Sequence, residues 1–563
     1  MKKIKYFTYI LSALLLMSCA EDFLEKKNLY EQSDESYYSS SVDIAEALAA
    51  AYASLPIDAG NNNPFIVSEL MSDDCFGGGG INDDGFHGTD AFTLPPDMDY
   101  YMDLYETTYE GILRVNMILK RFDQAEYDDE NARKQDLGEI HFLRAYFYFR
   151  LAKFFGAVPL KTDPAPANLP KATPEQLFGQ IASDLKQAIE LMPATRYNPA
   201  AQADRLGHAT KWAAEALMAR VFLYYTGYYE QSSLPLVDGG SISSSQVIGW
   251  IDDCVASSGH ELVSDFRNIW PYSYADGYPY VDNNGLEWIG DGEANVNGEY
   301  NLETIFAINY SVYGGWNLPD KLSYSNQHSL YVGLREQSHL PFGQGWGGGP
   351  VNPQLWDSFE DGDVRQQGSI LNVNDATLDE GDVLTNFLWG GDNQMHETGY
   401  WQKKYMPIYI VDPASTTGGL AGLFYVLYGG ENNMQLWNMQ DDILIRFADV
   451  LLMGAELGSA NAQNYLDRIR TRAGLGSVPV TLDNIKRERR HELAFEGLRY
   501  FDLLRWHDAE EAFAVATNIP VKNVNVDDTY TVTFRPETGG FLPIPHSEIL
   551  LSNGVLEQTP GWE

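Results

Sequence analysis

Residues Glu139–Phe155 read EIHFLRAYFYFRLAKFF, and Leu143, Phe147, Leu151 and Phe154 fall at i, i+4, i+8 and i+11. That spacing draws an apolar stripe along one face of a helix, and such a stripe needs a partner to cover it. Lys211 to Tyr225 repeats the idea with Trp212, Ala216, Ala219 and Leu223, whose small members let a neighbouring helix approach closely. Ser41 to Leu55 is Ala-rich, with Asp43 and Glu46 in the first turn, where carboxylates suit the helix dipole. Further helices are expected over Tyr101–Phe122, Pro174–Leu191, Asp441–Glu456, Asn461–Thr471 and Ile485–Trp506. Helix pairs that mix large aromatics with Ala read as a mainly α fold, a tetratricopeptide-like helix-pair bundle or α-α superhelix. No clean period of about 34 residues runs through them, because a long insertion splits the set.

That insertion spans residues 231–438, where the pattern changes to Gly, Asn, Asp, Tyr and Trp with short apolar runs. Its aromatic density is too high for a disordered tract, so an ordered, irregular, loop-rich subdomain is expected. Residues 19–230 then hold the first helix pairs, and 439–563 the C-terminal helices and closing segment. At the N-terminus, Lys2, Lys3 and Lys5 precede an apolar run to Met17, then Ser18 and Cys19. The run is too short for a stable span and has the charged start and small-residue exit of an export signal. Residues 1–18 are therefore expected to be cut away, leaving Cys19 as a lipid-modified N-terminus held to a membrane by its acyl chains.

Lys+Arg total 38 against 79 Asp+Glu, a net charge of −41. A body this acidic repels phosphate backbones, which argues against nucleic acid as a partner. Cys75 and Cys254 remain after Cys19; they either form one disulfide or stay as separate thiols, and no disulfide scaffold is implied.

Motifs for catalysis are missing. The three His-Glu pairs, at His260, His396 and His491, are followed three residues beyond the Glu by Ser264, Tyr400 and Phe495, so none completes a zinc-hydrolase pattern. No Gly-x-Ser-x-Gly elbow or Gly-Lys phosphate loop occurs. The crowd of Arg, Glu, His and Asp in Glu488–Trp506 reads as a structural charged network over a buried stripe, with Glu496–Arg499 and Asp502–Arg505 as i, i+3 pairs. Asp276-Gly, Asp282-Asn-Asn-Gly285 and Asp291-Gly-Glu293 are dense in oxygen ligands for Ca²⁺, but the spacing fails the EF-hand loop and Asx turns explain the same residues. No cofactor is expected. With 79 acids, a secreted glycoside hydrolase using an unrecognised carboxylate pair is the alternative reading.

Several blocks in order resemble the SusD/RagB family of outer-membrane glycan-binding lipoproteins. They are Cys19 with Glu21 and Asp22, Tyr109–Asn116, Glu139–Arg150 running into Phe155–Leu160, and Lys211–Arg220. Arg446–Met453, Ile469–Gly474, Glu488–Trp506 and the closing Leu542–Pro545 with Gln558–Gly561 complete them. The resemblance implies a tetratricopeptide-like scaffold bearing an irregular ligand region. It also implies a partner, a SusC-like TonB-dependent transporter, to which captured oligosaccharide or polysaccharide is delivered for import. The family often has Trp where this chain has Tyr105.

Thirteen per cent of the chain is aromatic, with 35 Tyr, 26 Phe and 12 Trp, many of them in stretches without period. Sugar C–H faces pack on rings, and Asn, Asp and Arg hydrogen-bond the flanking hydroxyls. Three stretches are candidates for such a platform. The first holds Asp97, Tyr100 and Tyr101, whose family counterpart supplies part of the glycan site. The second holds Trp270, Tyr274, Tyr278 and Trp288, and the third Trp316 and Trp346. The competing explanation for any one ring is that it fills the subdomain core. The sequence reading is thus a non-enzymatic, lipid-anchored protein that captures glycan.

Overall fold

The computed structural model describes residues 37–57, 62–198, 205–289, 301–310, 325–416, 418–430 and 432–563. Cys19 and Trp316, together with Asp291 and Glu293, lie outside them. The fold is mainly α. Helices α1 (Ser41–Tyr52), α2 (Met102–Arg121), α3 (Glu130–Phe155), α4 (Pro174–Leu191), α5 (Lys211–Tyr228) and α6 (Ser244–Ser257) pack each on the next. Local chemistry sets their starts. Ser40 with Asp43 and Thr173 with Gln176 form capping boxes, and Pro174 opens α4.

The pairing is antiparallel. On α3, Arg144 reaches Asn116 of α2 at 3.1 Å and Asp184 of α4 at 2.7 and 2.8 Å, while His141 joins Asp184 at 2.7 Å. The predicted stripe of α3 is buried, but so are Phe142, Tyr148, Phe149 and Phe155 on its other sides. A helix clamped between two neighbours has no free face for an amphipathic pattern to mark.

The expected irregular stretch begins with α6, which belongs to the bundle. It packs on α5 and, across the insertion, on α7 (Phe447–Leu457). Helices α8 (Ala462–Arg472), α9 (Leu482–Glu492) and α10 (Arg499–Trp506) follow. Strand β1 (Thr304–Ile308) pairs antiparallel with β2 (Asp442–Arg446), which occupies the front of the segment read as helix from Asp441. The remaining strands of the insertion are two or three residues long.

The helix expected over Ile485–Trp506 is two helices. Phe495 (φ 64°) and Gly497 (φ 69°) take left-handed backbone between them, and the Gly497 amide donates to Glu69 Oε1 at 2.6 Å. Asp502 and Arg505 pair at 2.7 Å as predicted. Glu496 and Arg499 do not, because the kink sends Glu496 to Arg446 and Lys404 and Arg499 to Asp73.

Around this kink lies a buried ionic network. Glu492 accepts from Arg446 at 2.6 Å, from Arg365 at 3.2 Å and from Arg472. Arg446 also meets Glu303 at 2.7 Å, and Arg365 also meets Glu488 at 3.0 Å and Asp363 at 2.7 Å. Burial alone pushes the Glu492 carboxyl up, but Arg472, Arg446 and Arg365 outweigh it and hold the group well below the usual range.

Removing that carboxylate leaves guanidiniums buried without it, so Glu492→Gln is expected to lose about 3–5 kcal/mol in urea unfolding at neutral pH. The folded value lies below the unfolded one, so this contribution is intact above about pH 4.5 and disappears as pH falls toward the folded value. Glu69, Asp90 and Glu215 behave oppositely, each pushed up to about 8 chiefly by burial. Their protonated forms favour the native state, so stability falls as pH climbs from the unfolded carboxyl values toward 8. Glu69→Gln should remove one carboxyl's share of that slope, measured as urea midpoint against pH; an unchanged slope would contradict the assignment.

Candidate functional site

Gly77–Gly80, four glycines in a row, meet the Gly-rich run around Trp346. The Gly79 amide donates to the Gly347 carbonyl at 2.7 Å, Gly78 bridges Gly348, and the Met395 amide donates to the Gly79 carbonyl at 2.8 Å. Three distant segments thus form one backbone platform. At Gly78 (φ 62°) an added Cβ would stand 2.5 Å from the Gly347 carbonyl oxygen, so only glycine permits the contact.

Arg335 fastens this platform. Its guanidinium meets the carboxylates of Asp392 at 2.9 Å and Asp83 at 3.4 Å, and donates to the Trp346 carbonyl at 3.0 Å. Asp83 in turn caps the Gly80 amide at 2.5 Å. Tyr100, half-buried, lays its hydroxyl against Gly85, two residues from Asp83, and stacks edge-on to Tyr101 at 5.4 Å. The Tyr100 hydroxyl is buried and has no hydrogen-bond partner among the described residues. Trp346 is also half-buried, and Leu388 and Ile81 stay more than half exposed nearby in sequence to Trp389 and Asp83.

The predicted residues divide by burial. Tyr100 rests on Gly85 and the Trp346 carbonyl accepts from Arg335, whereas Asp97 is exposed on the short Pro96–Met98 turn. Tyr101 is buried and bonds Thr89 at 3.0 Å. Trp270 is fully buried between Phe266 and Tyr405, with the Lys404 ammonium 4.9 Å from its ring. Tyr278 is fully buried and donates to Glu380; Trp288 is buried between Tyr274 and Phe424 at 6.0 Å each. These three rings are core of the subdomain rather than surface, because irregular backbone with few strands needs aromatic bulk to fill its interior. Tyr274 keeps 38% exposure, and its edge meets Trp288 rather than Trp346.

Sequence reasoning passed over Asp83, Arg335 and Asp392; the glycine run at 77–80 was the available signal. A second concavity has two adjoining lobes of about 390 Å³ each, sharing Tyr105, Lys161, Pro166, Ala167 and Glu548. Among the described residues no group of three or more His, Cys, Asp or Glu is placed to hold a metal ion. Cys75 and Cys254 are separate buried thiols. No helix among the described residues is long and apolar enough to cross a membrane.

A family model described as the SusD family matches residues 303–562, and one described as "Starch-binding associating with outer membrane" matches 22–223. Together they span most of the sequence. The chain belongs to the SusD family. Among its relatives, the SusD-like protein P2 of Formosa agariphila is 23% identical over 100% of both chains. A solved laminarin binding SusD-like protein is 25% identical with a TM-score of 0.71, covering 93% of this chain and 100% of its own. Surface glycan-binding protein A from Bacteroides thetaiotaomicron, solved in complex with laminarihexaose, superposes with a TM-score of 0.69 at 22% identity, covering 92% of this chain and 98% of its own.

In this SusD-family chain Gly85 sets where Tyr100 sits, since an added Cβ would meet the hydroxyl at 1.3 Å. Gly85→Ala is therefore expected to turn the Tyr100 ring off its seat at a cost of about 1–3 kcal/mol. A crystal structure of the variant with Tyr100 unmoved would refute this.

Proposed function

We propose that this protein is a non-enzymatic, surface-exposed lipoprotein that binds a neutral oligo- or polysaccharide and hands it to a TonB-dependent outer-membrane transporter. Tyr100 and Trp346 serve as the ring platform, and Asp83, Arg335 and Asp392 as its polar rim. The carrying observation is the glycine-built platform on which Arg335 bridges Asp83 and Asp392 and holds the Trp346 carbonyl, with the half-buried Tyr100 ring seated at Gly85. Membership of the SusD family supports the class of ligand, and the laminarin binding relative makes a β-glucan the first ligand to try. Lipidation at Cys19 and the division into residues 19–230, 231–438 and 439–563 belong to the same proposal.

The chemistry fits capture rather than cleavage. Asp83 and Asp392 are both engaged by one guanidinium, which leaves neither free to shuttle a proton to a leaving group. A shallow site of this kind gains little affinity after ordering its ligand, and confinement at a membrane makes up the difference.

Calorimetric titration with laminarin oligosaccharides is expected to show binding that weakens about tenfold in Tyr100→Ala and in Trp346→Ala. Unchanged affinity in both variants would remove the platform from the proposal. New reducing ends on incubation of the purified protein with its glycan would overturn the non-enzymatic reading.

A further inference from the structure

A cavity of about 40 Å³ lies where α3, α5, the short helix Pro64–Leu70 and the Glu496–Leu498 turn come together. Phe65, Phe149, Phe154 and Phe501 give it aromatic walls. Three cations line it: Arg150 and Lys153 from α3, and Arg220 from α5.

None of the three is neutralised there in full. The Lys153 ammonium stands 4.2 Å from the Phe501 ring centroid and 5.2 Å from that of Phe149, and makes no hydrogen bond or ion pair with a described residue. Arg150, only 3% exposed, donates to the Leu55 carbonyl at 2.7 Å, but its Nε–H is buried without a partner among the described residues. Arg220 meets Asp449 at 2.6 Å and the Leu444 carbonyl at 2.9 Å, and its Nε–H is likewise buried with no partner among the described residues.

Nearby acids are already engaged. Asp449 is shared with Arg489 at 2.6 Å. Glu496, the one carboxylate lining the cavity, is held by Arg446 at 2.7 Å and Lys404 at 2.7 Å. Positive charge is therefore in surplus inside a chain whose net charge is −41. Burial, with Arg220 and Arg150 adding to it, pulls Lys153 down to about 7 against the opposing pull of Asp502, which is itself held by Arg489 at 2.8 Å and Arg505 at 2.7 Å. Converging cations in apolar surroundings repel and are costly unless a counter-charge joins them. A water needs roughly 10–15 Å³ of such space, so this cavity has room for a small ion and none for a sugar ring.

We propose that this cavity binds a small inorganic anion of chloride to sulfate size, held by Lys153 Nζ and the Nε–H groups of Arg150 and Arg220. The anion ties α3 to α5. Bromide, a chloride substitute with an anomalous signal, is soaked into crystals of the wild-type protein. A peak among the three nitrogens is expected, and a cavity holding only water overturns the proposal. In solution, Tm is followed against added chloride or sulfate, with gluconate, too large for the cavity, keeping ionic strength constant. A saturating rise of about 1–2 °C is expected for the wild type. It should vanish in Lys153→Met, which keeps the apolar stem. Equal responses in the two proteins would overturn the proposal, and the bromide experiment stands without the variant.

Discussion

The salt links of Glu492 to Arg446, Arg365 and Arg472 are the joint on which the molecule turns. Arg365 comes from the insertion, Arg472 from α8, and Arg446 from the strand that leads out of the insertion into α7. Glu303, the residue just before the strand paired with it, completes the ring through Arg446 and Arg472. Each of these groups is at most 4% exposed, so each is tolerable only while the others are in place. That interdependence fixes one arrangement of distant segments where apolar packing alone would accept several. A second set, Arg490 and Arg499 on Asp73 and Asp74, fastens the N-terminal segment to the same kinked region.

With the joint fixed, the bundle can continue across an insertion of about two hundred residues. Helix α6 meets α7 as though nothing intervened. The insertion returns its chain through the β1–β2 pair, so its irregular loops are anchored at both ends close to the network. Its outer loops meet the Gly77–Gly80 run, and Asp73 and Asp74 just before that run pair with Arg499 and Arg490. The glycine platform is thus assembled from pieces that lie far apart in sequence.

Much of the fold was legible in the sequence, and the reasons are local. The bounds of α4 and the start of α5 follow from caps and periodicity, with Thr173 and Thr210 as N-cap residues. The break inside Ile485–Trp506 was not legible, since every residue there suits a helix except Gly497, and its left-handed conformation is held by Glu69 from more than four hundred positions away. The aromatic stretches show the same limit. Trp270, Tyr274, Tyr278 and Trp288 sit within nineteen positions of one another, yet the first and third are sealed and Tyr274 is not. Without a period, nothing in the local sequence says which side of an irregular chain faces water.

The sequence by itself determined the helical class, the positions of most bundle helices, an acidity that argues against nucleic acid, and the family to which the chain belongs. Those properties rest on spacing, composition and short motifs, which act within a turn or two of backbone. Tertiary structure alone decided which described rings are core and which are surface, where Glu496 and Arg499 find their partners, and that Arg335 pairs with both Asp83 and Asp392. Burial and ion pairing depend on segments hundreds of residues apart, and no local pattern carries that information.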